Sequence, residues 1–100
     1  MFRVRPEEVE RLRGWLAELM RRADEVRETF ANEGVTHERA YLLTTTDGPI
    51  LIYAMEAADH QKASEAYQHS TLPIDLEHRQ VMREVLAEPA GAELLYDMAR

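Results

Sequence analysis

The segment from Pro49 to Glu56, Pro-Ile-Leu-Ile-Tyr-Ala-Met-Glu, constrains the fold more than any other part of the chain. It and the upstream run Val35 to Thr44 read as two strands, and the intervening Thr45-Thr46-Asp47-Gly48 contains the Asp-Gly pair that favours a tight hairpin. The pairing is therefore antiparallel. Alternate side chains of a strand point to opposite faces, so Ile50, Ile52 and Ala54 share one face while Leu51, Tyr53 and Met55 share the other. Both faces are apolar, whereas an antiparallel sheet with one wet face alternates apolar with polar residues. Helices can cover one face; the other calls for a second subunit or a ligand.

The helices are legible from their periodicity. Val9, Leu12, Leu16, Leu19, Ala23, Val26 and Phe30 recur at steps of three and four and lay one apolar stripe along a long helix. Pro6 followed by Glu7 and Glu8 marks its start, and Asn32-Glu33-Gly34 its exit. Gly14 in its interior predicts either close backbone contact or a slight bend. Ahead of it, Phe2-Arg3-Val4-Arg5 alternates as a short strand. Asp59 caps a predicted helix running to Gln68, with Ala63, Ala66 and Tyr67 inward. Pro73 then breaks the pattern, and Asp75 caps a second helix whose inward stripe is Val81, Met82, Val85 and Leu86. Glu88-Pro89-Ala90-Gly91 reads as a breaker, and Ala92, Leu94, Tyr96 and Met98 as one face of an edge strand, with a terminal helix as the alternative for so short a run.

The predicted order is β-α-β-β-α-β, a ferredoxin-like α+β fold with a four-stranded antiparallel sheet and helices on one face, in one domain spanning residues 1–100. The long Glu/Arg/Leu helix with Trp15, the strand Pro49–Glu56, Ala58-Asp59-His60 and Ser70-Thr-Leu-Pro-Ile-Asp-Leu-Glu-His78 together resemble an uncharacterised bacterial family of the dimeric α+β-barrel superfamily. The resemblance implies a homodimer whose two sheets close face to face into a barrel. Superfamily relatives include cofactor-free monooxygenases, haem-degrading enzymes and ligand-sensing domains, so the resemblance leaves the chemistry open.

Composition excludes several functions. Twelve basic and 19 acidic side chains give a formal charge of 12 − 19 = −7, a field that repels phosphate backbones and anionic membranes. Neither nucleic acid nor membrane is expected as a partner. Without cysteine there are no disulfides or thiolate sites, and no segment has the length and apolarity of a signal peptide or membrane span, so the expected location is the cytoplasm.

The chemically capable residues cluster in Tyr67 to Arg79. His60, His69 and His78, with Asp59, Asp75 and Glu77, could act as acids and bases, but their spacings match no metal motif, and no metal or cofactor is expected. His78 borders the apolar stripe of its helix, three residues after Asp75, so the candidate catalytic pair is His78 oriented by Asp75. Tyr53, Tyr67 and His69 are the candidate ligand-binding residues, with the phenols as donors. Trp15 reads as an exposed contact or a lid at the core edge. Ser64 and Ser70 lie in no nucleophile elbow, and the glycines form no phosphate loop. The expectation is a homodimer that binds a small apolar molecule; the alternatives are a cofactor-independent monooxygenase or acid-base enzyme using His78, and a pure assembly module.

Overall fold

The computed structural model describes residues 1–89 and 93–100. Strand β1 (Phe2–Val4) passes through a 3-10 turn (Pro6–Glu8) into helices α1 (Val9–Arg21) and α2 (Ala23–Glu33). The hairpin β2 (Val35–Thr45) and β3 (Gly48–Ala57) follows, then α3 (His60–His69), α4 (Pro73–Val85) and β4 (Leu86–Pro89). This is an α+β fold whose four strands form one open sheet in the order β2-β3-β1-β4, every neighbouring pair antiparallel.

The hairpin register sets the two faces of the sheet. Leu42 stands opposite Leu51, Ala40 opposite Tyr53 and Glu38 opposite Met55, and these residues face the helices. The other face carries Tyr41 opposite Ile52 and Leu43 opposite Ile50, with Tyr41 51% and Leu43 46% exposed. The doubly apolar strand is therefore real, and within one chain only one of its faces is covered. Gly48, at φ 111°, takes the left-handed turn position, while Thr46 and Asp47 keep negative φ.

The sealed core lies where α1 and α4 cross the middle of the sheet. Val4, Leu12, Leu51 and Val85 are buried together, flanked by Val9, Leu16, Leu42 and Val81. Each such side chain contributes roughly 1.5–3 kcal/mol by leaving water. The Arg5 N–H donates to the Val85 carbonyl at 2.8 Å and fastens β1 to the end of α4.

Four details depart from the sequence reading. The long helix is two, broken at Arg22 (φ −103°, ψ 41°), although no proline or glycine marks the position. The tie is tertiary: the Arg22 guanidinium bonds Glu25 on α2 and Glu77 on α4 and lies 5.9 Å over the Trp15 ring. Gly14, by contrast, has open space where a side chain would stand, so it marks neither close contact nor the bend. Gly34 does end α2 in the left-handed conformation, at φ 73°.

Asp75 is not the cap of α4, which begins at Pro73 after Leu72; proline's fixed φ suits a first helical position and its missing N–H costs the helix nothing there. Asp59 does cap α3, its Oδ1 accepting from the Lys62 N–H at 3.0 Å. The fourth strand comes earlier than the alternation after the breaker predicts. Leu86–Pro89 itself pairs with β1, Val4 opposite Leu86, and Pro89 ends the strand at an outer edge where a missing donor is tolerated. Residues 93–100 form no regular element, and Leu94, Leu95, Tyr96 and Met98 are exposed; Ala92 lies outside the described residues. No helix among the described residues is long and apolar enough to cross a membrane.

Candidate functional site

Between the sheet and helices α2, α3 and α4 lies a cleft of about 680 Å³. The amphipathic stripes supply its apolar wall, with Leu19 from α1, Val26 and Phe30 from α2, Met55 from β3, and Ile74 and Met82 from α4. Its polar lining includes Thr29 and Glu33 from α2, Glu38 from β2, Tyr53 from β3, Ser64, Tyr67 and Gln68 from α3, and Asp75, His78, Arg79 and Arg83 from α4.

His78 sits at the junction of cleft and core, because residues 78, 82 and 85 share one face of α4. The Trp15 indole N–H donates to its Nδ1 at 2.8 Å, and its Nε2 lies 3.3 Å from the Tyr53 hydroxyl. Tryptophan can only donate, so Nδ1 carries the lone pair and Nε2 the proton. Nε2–H thus donates to Tyr53, whose own O–H is left facing the Met82 sulfur at 3.9 Å. Tyr67 meets the His78 ring edge to face, the centroids 5.8 Å apart. Burial pushes the imidazole down to about 4, against a weaker opposing pull from Asp75, so it is neutral near pH 7.

Asp75 has other partners. It is buried, and one carboxylate oxygen accepts from Thr29 Oγ1 and Ser70 Oγ, each at 2.5 Å, which joins α2 to the α3–α4 junction. The predicted Asp75-His78 pair is therefore not hydrogen-bonded; Trp15 orients the imidazole instead. Arg79 reinforces the same junction, donating to the Tyr67 carbonyl and, at 2.6 Å, to the Ser70 carbonyl, with its guanidinium 5.5 Å from the Tyr67 ring centroid.

The predicted residues separate into two groups. Tyr53, Tyr67, His78 and Asp75 converge on the cleft. His69 is exposed at the end of α3 and borders a separate shallow depression with Glu28 and Thr71. His60 is also exposed, its Nε2 3.0 Å from the Met55 carbonyl oxygen. Among the described residues no group of three or more histidine and acidic side chains is arranged to hold a metal.

Sequence reasoning missed Glu33 and Glu38. Burial, with Asp75 and Glu38 nearby, pushes the Glu33 carboxyl up to about 7, and burial also raises Glu38. Glu38 had a signal: it shares strand parity with Ala40 and Leu42 and so faces the helices. Glu33 looked like part of a helix exit. Burial raises both phenols, with the nearby carboxylates adding to it, so Tyr53 and Tyr67 stay protonated at neutral pH.

The model of a family described as "Family of unknown function (DUF6176)" matches residues 1–100. No curated protein and no solved structure matches the chain.

Proposed function

The chain belongs to this family of unknown function, and from its geometry we propose that it is a homodimeric protein that binds a small, largely apolar molecule between sheet and helices. The observation that carries this reading is the 680 Å³ cleft, which lies within the roughly 300–1,000 Å³ usual for small-molecule sites and combines an apolar wall with a few convergent polar groups. Binding is preferred over acid-base chemistry or oxygenation at His78, because the Nδ1 lone pair a base needs is already met by the Trp15 N–H.

The dimer reading rests on the uncovered sheet face. Tyr41, Leu43, Ile50 and Ile52 form a contiguous apolar patch, and a second copy placed sheet to sheet would bury it. The strand order, with β1 and β3 central and β2 and β4 at the edges, supports the ferredoxin-like, dimeric α+β-barrel arrangement. An acidic chain without cysteine suits a reducing compartment such as the cytoplasm.

Trp15 is the only tryptophan and touches His78 on the cleft wall, so its fluorescence reports on occupancy. Titrating the full chain with decanol should give a saturable change at one molecule per chain. No saturable change up to the solubility limit of decanol would end the binding reading. Light scattering should give twice 11.6 kDa for the wild type and 11.6 kDa for Tyr41→Asp; a monomeric wild type refutes the dimer.

A further inference from the structure

Resting on the binding reading above, the donors and acceptors of the cleft indicate the kind of molecule it takes. Glu33 and Glu38 project into the cleft from α2 and β2, and among the described residues neither has a cationic partner. Among the described residues Glu33 has one side-chain hydrogen bond, from the Thr29 hydroxyl at 3.4 Å, and that hydroxyl already donates to Asp75 at 2.5 Å. The Tyr67 hydroxyl has no partner among the described residues and borders the same space. Two arginines also line the cleft, and neither offsets the carboxylates. Arg83 is exposed and bonded to Gln80, and Arg79 is held by two backbone carbonyls and the Tyr67 ring. The charged groups that act on Glu33 are Asp75 and Glu38, both acidic.

A half-buried pair of carboxylates with a third behind it repels itself, and an ammonium cation between them removes that repulsion while donating hydrogen bonds to them. An anionic head would add to it. We propose that the cleft takes an amphiphile with an apolar body and a cationic, hydrogen-bond-donating head of the primary ammonium class. Glu33 and Glu38 hold the head, and Val26, Phe30, Met55 and Met82 surround the body.

Three probes of equal chain length separate the contributions: decylammonium, decanol and decanoate, each titrated calorimetrically into the full chain at pH 8 below its micelle concentration. Decylammonium should bind at least ~10-fold tighter than decanoate, with decanol between them, a modest ratio for a charge partly screened by solvent. The double variant Glu33→Gln, Glu38→Gln should bring the ratio close to one. Removing the same charge from exposed Glu7 and Glu28 should leave the ratio intact, which separates local contact from the net charge of −7. If the double variant does not fold, each single variant should lower the ratio. Decanol binding with decanoate as tight as decylammonium overturns this inference and spares the cleft. A ratio that survives in the Gln variants overturns the assignment to Glu33 and Glu38. Failure of all three probes overturns the inference and the binding reading together.

Discussion

The layer between helices and sheet has two unlike halves. Under α1 and α4, Leu12, Leu51 and Val85 are sealed from water, packed against Val9, Leu16, Leu42, Val81, Met82 and Leu86 with Tyr53 at the border. Under α2 and α3, the same sheet face meets space, carboxylates and phenols. The amphipathic stripe supplies apolar residues to both halves, so periodicity alone does not account for the difference. The break at Arg22 starts α2 as a separate helix, held by Glu77, and the Thr29–Asp75–Ser70 bonds fasten α2 to the α3–α4 junction. One half holds the fold together and the other is left available.

The sharpest way to break this comparison is to cut equivalent apolar side chains in each half. Leu12→Ala leaves a void in a sealed site and should cost about 2–5 kcal/mol by urea denaturation. Phe30→Ala only widens an existing cleft and should cost less than half as much. Equal losses would mean that the cleft half is as tightly organised as the core.

The sequence showed the sealed half more plainly than the open one. Period two in β3 and periods of three and four in α1 and α4 reported the core, because burial of local stripes creates it. Tyr53, Tyr67 and His78 were legible as cleft residues for the same reason. The bond from Trp15 to His78 spans 63 positions, and that from Thr29 to Asp75 spans 46. No local pattern encodes such contacts, so Asp75 read as a cap and Trp15 stayed unassigned. The edge strand was misplaced because alternation after Gly91 resembles a strand, whereas the free side of β1 is taken by Leu86–Pro89.

His78 sits at the border between the halves and gives the next test. Its folded pKa is about 4, below the usual 6.5, so its contribution is fully present above pH 6.5 and is lost as pH falls through 4. The stability difference between wild type and His78→Gln should therefore shift against the wild type by about 3 kcal/mol between pH 7 and pH 4. A flat difference would mean that the imidazole is solvated.

Glu33 titrates with the opposite sign. Its folded pKa is raised from 4.5 to about 7, so its cost is absent below pH 4.5 and fully present above 7. Glu33→Gln should be more stable than wild type by about 1–2 kcal/mol at pH 8, after discounting for its half-exposed carboxyl, and no more stable at pH 4.5. A variant equal to wild type at both values would place Glu33 in open solvent.

Smaller effects belong to the outer surface, which serves neither half. Gly14→Ala fills open space on α1 and should raise stability by about 0.5–1 kcal/mol in thermal unfolding. Arg27→Ala removes an exposed pair with Asp24 and should change stability by less than about 0.5 kcal/mol. A loss from Gly14→Ala would show that α1 is packed against something on that side.

The central claim, that the open half is a binding site, is tested most directly by backbone amide NMR of the full chain titrated with decanol. Shifts that saturate and gather at Phe30, Glu33, Tyr53, Tyr67 and His78, with Tyr41, Leu43 and Ile52 unmoved, are the predicted result. Shifts confined to Tyr41, Leu43 and Ile52, or none at all, would contradict it.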